Sequence, residues 1–329
     1  MRKFKIFPLW GAAEAYPPEN ADLAVLWGKS RANITIQGLI LLAKLLPVTA
    51  FLIANRESLE NKDLSQILMC FDSQLTAKPR TSIEHELDTF EELKISHPSW
   101  SAKEINLALP DGHQQLPTLR LLNKAGIQVD DYPSPAGNRR PTTNLPKVMI
   151  KVIRPQDMPL QVANGNFDLA ITGQDWLREH LYQFPSSPAT ELLNLKFGWV
   201  RIVAVVSNSL SVNDIDGLRQ FNANRSVPLR VASEYVNIAD KYARDNHLGM
   251  YRIIPTWGAS EAFLPEDADL LVENAQTGRT IARHNLKIVD TLFESTACLI
   301  SNTSSITSPA TRQRMKSIVG ALQQAVEEN

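Results

Sequence analysis

The sequence predicts an α/β protein built on mostly parallel sheet, with a partial duplication of its C-terminal half at the N-terminus. Three observations carry this. Short apolar strands alternate with amphipathic helices from Ile105 onward, the pattern of sheet strands joined by crossover helices. Several strands end in small-residue turns, such as Pro110-Asp111-Gly112-His113 and Thr172-Gly173. Ligands bind at such carboxyl ends in open α/β sheets. Finally, residues Ile6–Asn55 align with Ile253–Asn302 without a gap. Pro8, Trp10, Glu14, Pro18, Glu19, Ala21, Asp22, Thr49, Ala50, Leu52, Ile53 and Asn55 all meet identical partners, too dense a match for chance.

Composition narrows the function classes. With 329 residues, 43% of them hydrophobic, the chain is long enough for two domains with real cores. A net charge of -1 and no basic stripe argue against a nucleic-acid footprint. Met1-Arg-Lys-Phe-Lys-Ile reads as a short strand and not a secretory leader. Cys70 and Cys298 fall in apolar surroundings, so buried free thiols in a reducing cytoplasm are expected.

Residues 1–75 form the partial repeat. Its apolar stretch Gly38–Ala54 is interrupted by Lys44 and Pro47 and is shorter than the roughly 20 residues that cross a bilayer. Its counterpart Asn285–Ser301 carries Lys287, Asp290 and Glu294. Both therefore read as the end of a helix followed by a buried strand, with no membrane span. Trp10 and Trp257 read as core packing, and Glu14 and Glu261 as residues suited to a helix start. A helix is expected over Leu64–Leu75. Residues 76–103 read as a polar connector with a short helix at Glu84–Leu93.

The core, residues 104–329, opens with strand Ile105–Leu109, the turn at Asp111, and helix Leu116–Ala125 closed by Gly126. A polar, Pro-rich loop carries Arg139 and Arg140. Strand Val148–Ile153 leads into Arg154-Pro-Gln-Asp157, and strand Phe167–Ile171 into Thr172-Gly173-Gln-Asp175. Further strands are expected at Val200–Val206 and Leu229–Ala232, with a helix over Ile238–Asn246 and a terminal helix at Ser317–Glu328. Between the last two lies Asp269-Leu-Leu-Val-Glu273-Asn-Ala-Gln-Thr277-Gly278-Arg279-Thr280, an acid-edged strand, a tight turn and a helix start. The helical pattern is expected to run through Ala282, Leu286 and Ile288. Backbone N–H groups, hydroxyls and a close-approach glycine suit a phosphate; a strand end followed by an N-cap threonine is the plainer alternative. In the first copy this turn reads Ser30-Arg31-Ala32-Asn33 and lacks the glycine. No zinc or hydrolase motif is present.

Taken in order, Leu107–Gly112, Val152–Pro159, Asp168–Asp175, Ala232–Asn237, Gly258–Glu261, Asp269–Thr280 and Glu294–Ile300 resemble the catalytic subunit of the ATP phosphoribosyltransferase family. The resemblance spans roughly Ile105 to Glu328 and looks short-form. It implies two α/β lobes like those of type II periplasmic binding proteins, about 104–195 with 292–329 and about 196–291. It also implies a reaction joining N1 of ATP to C1 of phosphoribosyl pyrophosphate (PRPP), with Mg²⁺ present and pyrophosphate released. Expected with it are a homo-oligomer and a regulatory subunit resembling a histidyl-tRNA synthetase. By position, Thr277, Gly278, Arg279 and Thr280 match the family's 5′-phosphate loop, and Asp269 and Glu273 its preceding acids. Arg154, Asp157, Thr172, Gly173 and Asp175 match elements that face ATP or pyrophosphate, with Arg139 or Arg140 supplying a further cation. Arg154, Asp157, Asp269 and Glu273 are the expected catalytic set; the metal ligands are not assigned.

One departure stands out. The family's first turn usually reads L-P-K-G-R, whereas this chain has Leu109-Pro110-Asp111-Gly112-His113. The change lowers the positive potential suited to polyphosphates. It implies an altered substrate, compensation by Arg139 or Arg140, or a non-catalytic paralogue that binds a nucleotide or sugar phosphate.

Overall fold

The computed structural model describes residues 6, 8–17, 20–27, 39, 40, 42, 69, 105–302 and 309–328. The helices expected over Leu64–Leu75 and Glu84–Leu93, the apolar stretch Gly38–Ala54 and Cys70 lie outside the described residues, isolated positions aside. By its contacts the chain divides into Met1–Trp27 with Ser99–Asn329 and, separately, Gly28–Pro98. Only the first of these units is described below.

Its elements follow the chain as β1 (Ile105–Pro110), α1 (Gln115–Lys124), β2 (Val129–Asp130), β3 (Thr142–Thr143), β4 (Val148–Ile153), α2 (Met158–Ala163), β5 (Leu169–Gly173), α3 (Gln174–Gln183) and β6 (Ala189–Asn194). Next come β7 (Val200–Ser207), α4 (Ile215–Ala223), β8 (Leu229–Ser233), α5 (Val236–Asp245), β9 (Tyr251–Pro255), β10 (Leu270–Ala275), α6 (Arg279–Arg283), β11 (Leu286–Ser295), β12 (Ala297–Asn302) and α7 (Pro309–Glu327). Two five-stranded sheets result, in the orders β4-β1-β5-β12-β6 and β11-β7-β10-β8-β9. Read from opposite ends, the two sheets have one plan. The helix-linked strands β4, β1 and β5 pair in parallel, as do β9, β8 and β10. The strands that carry the chain between lobes, β12 and β7, pair antiparallel with their neighbours. The crossings fall between β6 and β7 and at Thr296, where β11 hands over to β12.

Alternation along each strand splits the first sheet's side chains between two cores. Leu107, Leu109, Ile171 and Leu299 pack under α1 and α7 with Leu122, Ile318 and Leu322. Ala108, Ala170 and Ile300 face Met158, Val162 and Phe167 on the other side, where Ala15 and Tyr16 of the N-terminal segment are also buried.

The helix expected through Leu286 and Ile288 stops at Arg283. Asn285 adopts a left-handed conformation (φ 56°) and β11 begins. A run containing Ile288, Val289 and Thr291 favours strand, and β11 pairs along almost all of β7. The second copy's Asn285–Ser301 is therefore two strands, and not a helix followed by a strand.

The lobes are joined by buried polar contacts around the start of α3. The Asp175 carboxylate accepts the Tyr235 hydroxyl at 2.7 Å and the Ser295 hydroxyl at 2.7 Å. The Trp176 ring stacks on Tyr235 with centroids 4.3 Å apart. One turn on, the Glu179 carboxylate accepts from the backbone N–H groups of Asn237 and Ile238, each at 2.8 Å. It thereby caps the first turn of α5 in the other lobe. A Tyr235→Phe change leaves a buried carboxylate oxygen short of a donor. Urea denaturation should show a loss of about 1–3 kcal/mol, and unchanged stability would mean that Asp175 does not tie the lobes together.

Candidate active site

The carboxyl ends of β4, β5 and β10 carry most of the expected site residues, with Arg139 and Arg140 on the loop between β2 and β3. In the second lobe, β10 runs into the turn before α6. Gly278 takes φ 71° with open space where a side chain would stand. It is needed for its backbone conformation, which an L residue adopts only with strain. Thr277, Arg279 and Thr280 are exposed, and the Thr277 hydroxyl lies 3.5 Å from the Arg279 N–H. The α6 helix has only five residues, so the turn offers local N–H donors more than a helix field.

Glu273 stands just inside this turn and accepts from the Asn274 backbone N–H at 2.9 Å. Burial, then the charges of Glu234 and Glu261, push its carboxyl up to about 7. The sequence offers Glu261 only as a helix-start residue and Glu234 only within the Ala232–Asn237 stretch, and assigns neither to the site. Only their places at the ends of β8 and β9 hinted at this grouping.

Asp269 is a correction. It stands at the amino end of β10, on the order of 25 Å of extended chain from Thr277. Its carboxylate binds Arg230 at 3.0 Å and Arg225 at 3.1 Å. Burial works against the charged form, but these arginines hold the carboxyl below its usual range. Asp269 ties strand starts together and is remote from the turn.

In the first lobe, Asp111 accepts from the Gly112 N–H at 2.8 Å and from Arg139 at 2.8 Å, with Arg154 at 3.7 Å. Burial opposes its charge; the Arg139 bond and the nearby cations prevail and hold its carboxyl below the usual range. The acid that replaces the family's lysine therefore neutralises the neighbouring cations. Arg139 also meets Glu14 at 3.2 Å. Arg140 donates to the carbonyls of Ala15 and Pro17.

Thr172 is fully buried and donates to the Pro155 carbonyl at 2.9 Å; Asp175 is the link between the lobes. Both side chains are buried and turned to partners inside the protein. Asp157 is buried and accepts the Trp10 N–H at 3.1 Å. Burial pushes its carboxyl up to about 7, against the Trp10 bond and the Arg154 charge.

The tryptophans also differ from expectation. Trp10 is 40% exposed and Trp257 73% exposed, so neither is core. Their ring centroids are 6.1 Å apart, and Trp10 lies 6.3 Å from Trp176. Glu14 pairs with Arg139, and Glu261 lies 3.8 Å from His284; neither caps a helix. Among the described residues no three His, Cys, Asp or Glu side chains are grouped to hold a metal ion. Cys298 is a buried free thiol.

Asp157 and Glu273 both bind a proton more tightly folded than unfolded. The stability they permit is complete near pH 4, falls as pH rises toward 7 and is level above that. Melting curves from about pH 4 to 8 should show this decline, flattened by Asp157→Asn and by Glu273→Gln. An undiminished slope in both variants would exclude these carboxyls as its source.

A family model for ATP phosphoribosyltransferase matches residues 154–324. The ATP phosphoribosyltransferase of Prosthecochloris aestuarii is 30% identical over 236 residues, 69% of this chain and 74% of that protein. That of Chlorobaculum parvum is 30% identical over 230 residues, 68% of this chain and 71% of the relative. Among solved structures, the ATP phosphoribosyl transferase (HisG:HisZ) complex from Thermotoga maritima shares the fold. There the TM-score is 0.55 at 22% identity, covering 68% of this chain and all of that one. The chain belongs to the ATP phosphoribosyltransferase family.

Proposed function

We propose that the protein transfers the phosphoribosyl group of PRPP to N1 of ATP and releases pyrophosphate, the first step of histidine biosynthesis. Membership of the family supports the reaction. The observation that carries it to this chain is the exposed Thr277–Thr280 turn, with its left-handed Gly278, just after the half-buried Glu273. In this reading the turn binds the 5′-phosphate through backbone N–H groups and hydroxyls. Glu273 lies toward the ribose, where a carboxylate stabilises positive charge developing at C1. Arg154, with Arg139 and Arg140, attracts the polyphosphates from the other lobe. The bond from N1 to C1 forms as the bond from C1 to the pyrophosphate oxygen breaks, so positioning and charge stabilisation supply most of the rate. Lacking a grouped ligand set among the described residues, Mg²⁺ fits here as a companion of the polyphosphates. When bound it would neutralise charge on the leaving pyrophosphate.

The same reading includes a homo-oligomer, and a separate regulatory subunit that the paired components of the Thermotoga maritima complex suggest. It places the protein in the cytoplasm. No described helix is long and apolar enough to cross a membrane.

A second reading, a ligand-binding paralogue without activity, draws on one observation: Arg139 is held between Asp111 and Glu14. Incubating the protein with ATP, PRPP and Mg²⁺, with and without the regulatory subunit, separates the two. Phosphoribosyl-ATP is the expected product; PRPP binding with no product in either condition selects the paralogue. Gly278→Asp should weaken PRPP binding by roughly 100-fold or more, since it adds strain and a negative charge at the phosphate. Asp269→Asn should lower stability and leave the PRPP KM nearly unchanged. A large KM change would return Asp269 to the site.

A further inference from the structure

The N-terminal segment has a definite seat. The Trp10 N–H points at the Asp157 carboxylate, 3.1 and 3.3 Å from its two oxygens. The Glu14 carboxylate lies on Arg139, and Arg140 donates to the Ala15 and Pro17 carbonyls. Gly11 lies against Arg154: a side-chain carbon there would stand 3.4 Å from its Nε. Ala15 and Tyr16 are buried beside Ile153, Met158 and Phe167. Beyond them, Asn20 accepts from Lys151 at 2.7 Å and donates to the Asn166 carbonyl at 3.2 Å. Across the cleft the Trp10 ring meets Trp257. The segment thus touches Arg139, Arg140, Arg154 and Asp157, the charged members of the expected first-lobe set other than Asp175.

We propose that residues 8–17 are a built-in strap that competes with ATP and pyrophosphate for the first-lobe half of the site, with Glu14 standing in for a phosphate on Arg139. The inference rests on the assignment of Arg139, Arg154 and Asp157 to that half. Its chemistry is that of anion exchange. A guanidinium binds a carboxylate or a phosphate by the same charge-assisted hydrogen bonds. The seated form must open before a polyphosphate enters, which weakens apparent affinity by the fraction of molecules that are open. The matching stretch of the second lobe supplies a contrast. Ala12 and Ala259 share nearly the same left-handed backbone, φ 53° and 51°, and each starts a short 3-10 helix. Yet Glu261 has the His284 imidazole at 3.8 Å, whereas Glu14 has an arginine of the site.

The test uses the full chain with ATP, PRPP, Mg²⁺ and inorganic pyrophosphate. Glu14→Lys repels Arg139 and should lower the ATP KM and the pyrophosphate inhibition constant about tenfold. Glu14→Gln should fall between, and kcat should not change. In the unmodified protein, saturating pyrophosphate should speed amide hydrogen exchange over residues 10–16 by about tenfold. This measurement decides the matter if Glu14→Lys does not fold. Unchanged constants in Glu14→Gln, together with unchanged exchange, overturn the strap while leaving the site assignment standing. Weaker ATP binding in both variants also overturns it, because Glu14 would then be part of the ligand's own site. If the unmodified protein and both variants bind neither ATP nor pyrophosphate, the site assignment itself fails and the strap with it.

Discussion

The structure depends on one buried carboxylate. Asp175 starts α3 in the first lobe, accepts Tyr235 from the second, and takes the Ser295 hydroxyl where the chain crosses back. A buried carboxylate without such donors would be costly, so both lobes must supply them in one arrangement. Glu179 repeats the device one helical turn on by capping α5. The strand ends that carry Asp157 and Glu273 belong to separate sheets, and these contacts keep the two sheets in one arrangement.

That constraint shapes the electrostatics of the site. Residues spent on joining the lobes, Asp175 among them, are not available to a ligand. The remaining charges are unevenly divided. The second lobe presents a phosphate-type turn with the exposed Arg279 beside three acids, Glu234, Glu261 and Glu273; burial and the neighbouring carboxylates raise the proton affinity of Glu234 and Glu273. The first lobe gathers Arg139, Arg140 and Arg154 and then offsets them with Asp111 and Glu14. How firmly those two carboxylates hold Arg139 and Arg154 therefore sets how much positive charge the first lobe presents.

Much of this was legible in the residues. The alternation of apolar strands and helices predicted mostly parallel α/β sheet, the family resemblance implied its division into two lobes, and strand-end turns located most candidates. Three kinds of feature were not legible. A strand's residues look alike from either end, so Asp269 and Glu273 read as a pair although they serve opposite ends of β10. A short β-branched run after a five-residue helix was extended as helix, because only pairing with β7 decides for β11. Burial direction was also hidden: Thr172 and Asp175 occupy a site-like turn yet point inward, Thr172 to the Pro155 carbonyl of its own lobe and Asp175 to Tyr235 and Ser295, 60 and 120 residues further along the chain. Trp10 and Trp257 read as core by composition, and their exposure follows from standing on turns at the cleft.

The two matching stretches show how one local conformation can serve different ends. The W-G-A-x-E-A pattern sets a left-handed alanine and a 3-10 turn both at Ala12 and at Ala259, so backbone shape follows local sequence. What differs is the surface each meets. In the second lobe the turn lies between β9 and β10 and its acid joins other acids near Glu273. On the first lobe, α2 already fills the corresponding place between β4 and β5. The N-terminal turn packs outside it, Ala15 and Tyr16 entering the α2 core while Glu14 faces the arginines. The same glutamate thus raises the proton affinity of acids in one setting and quenches cations in the other. Its effect is decided by the charge of the surface that receives the turn.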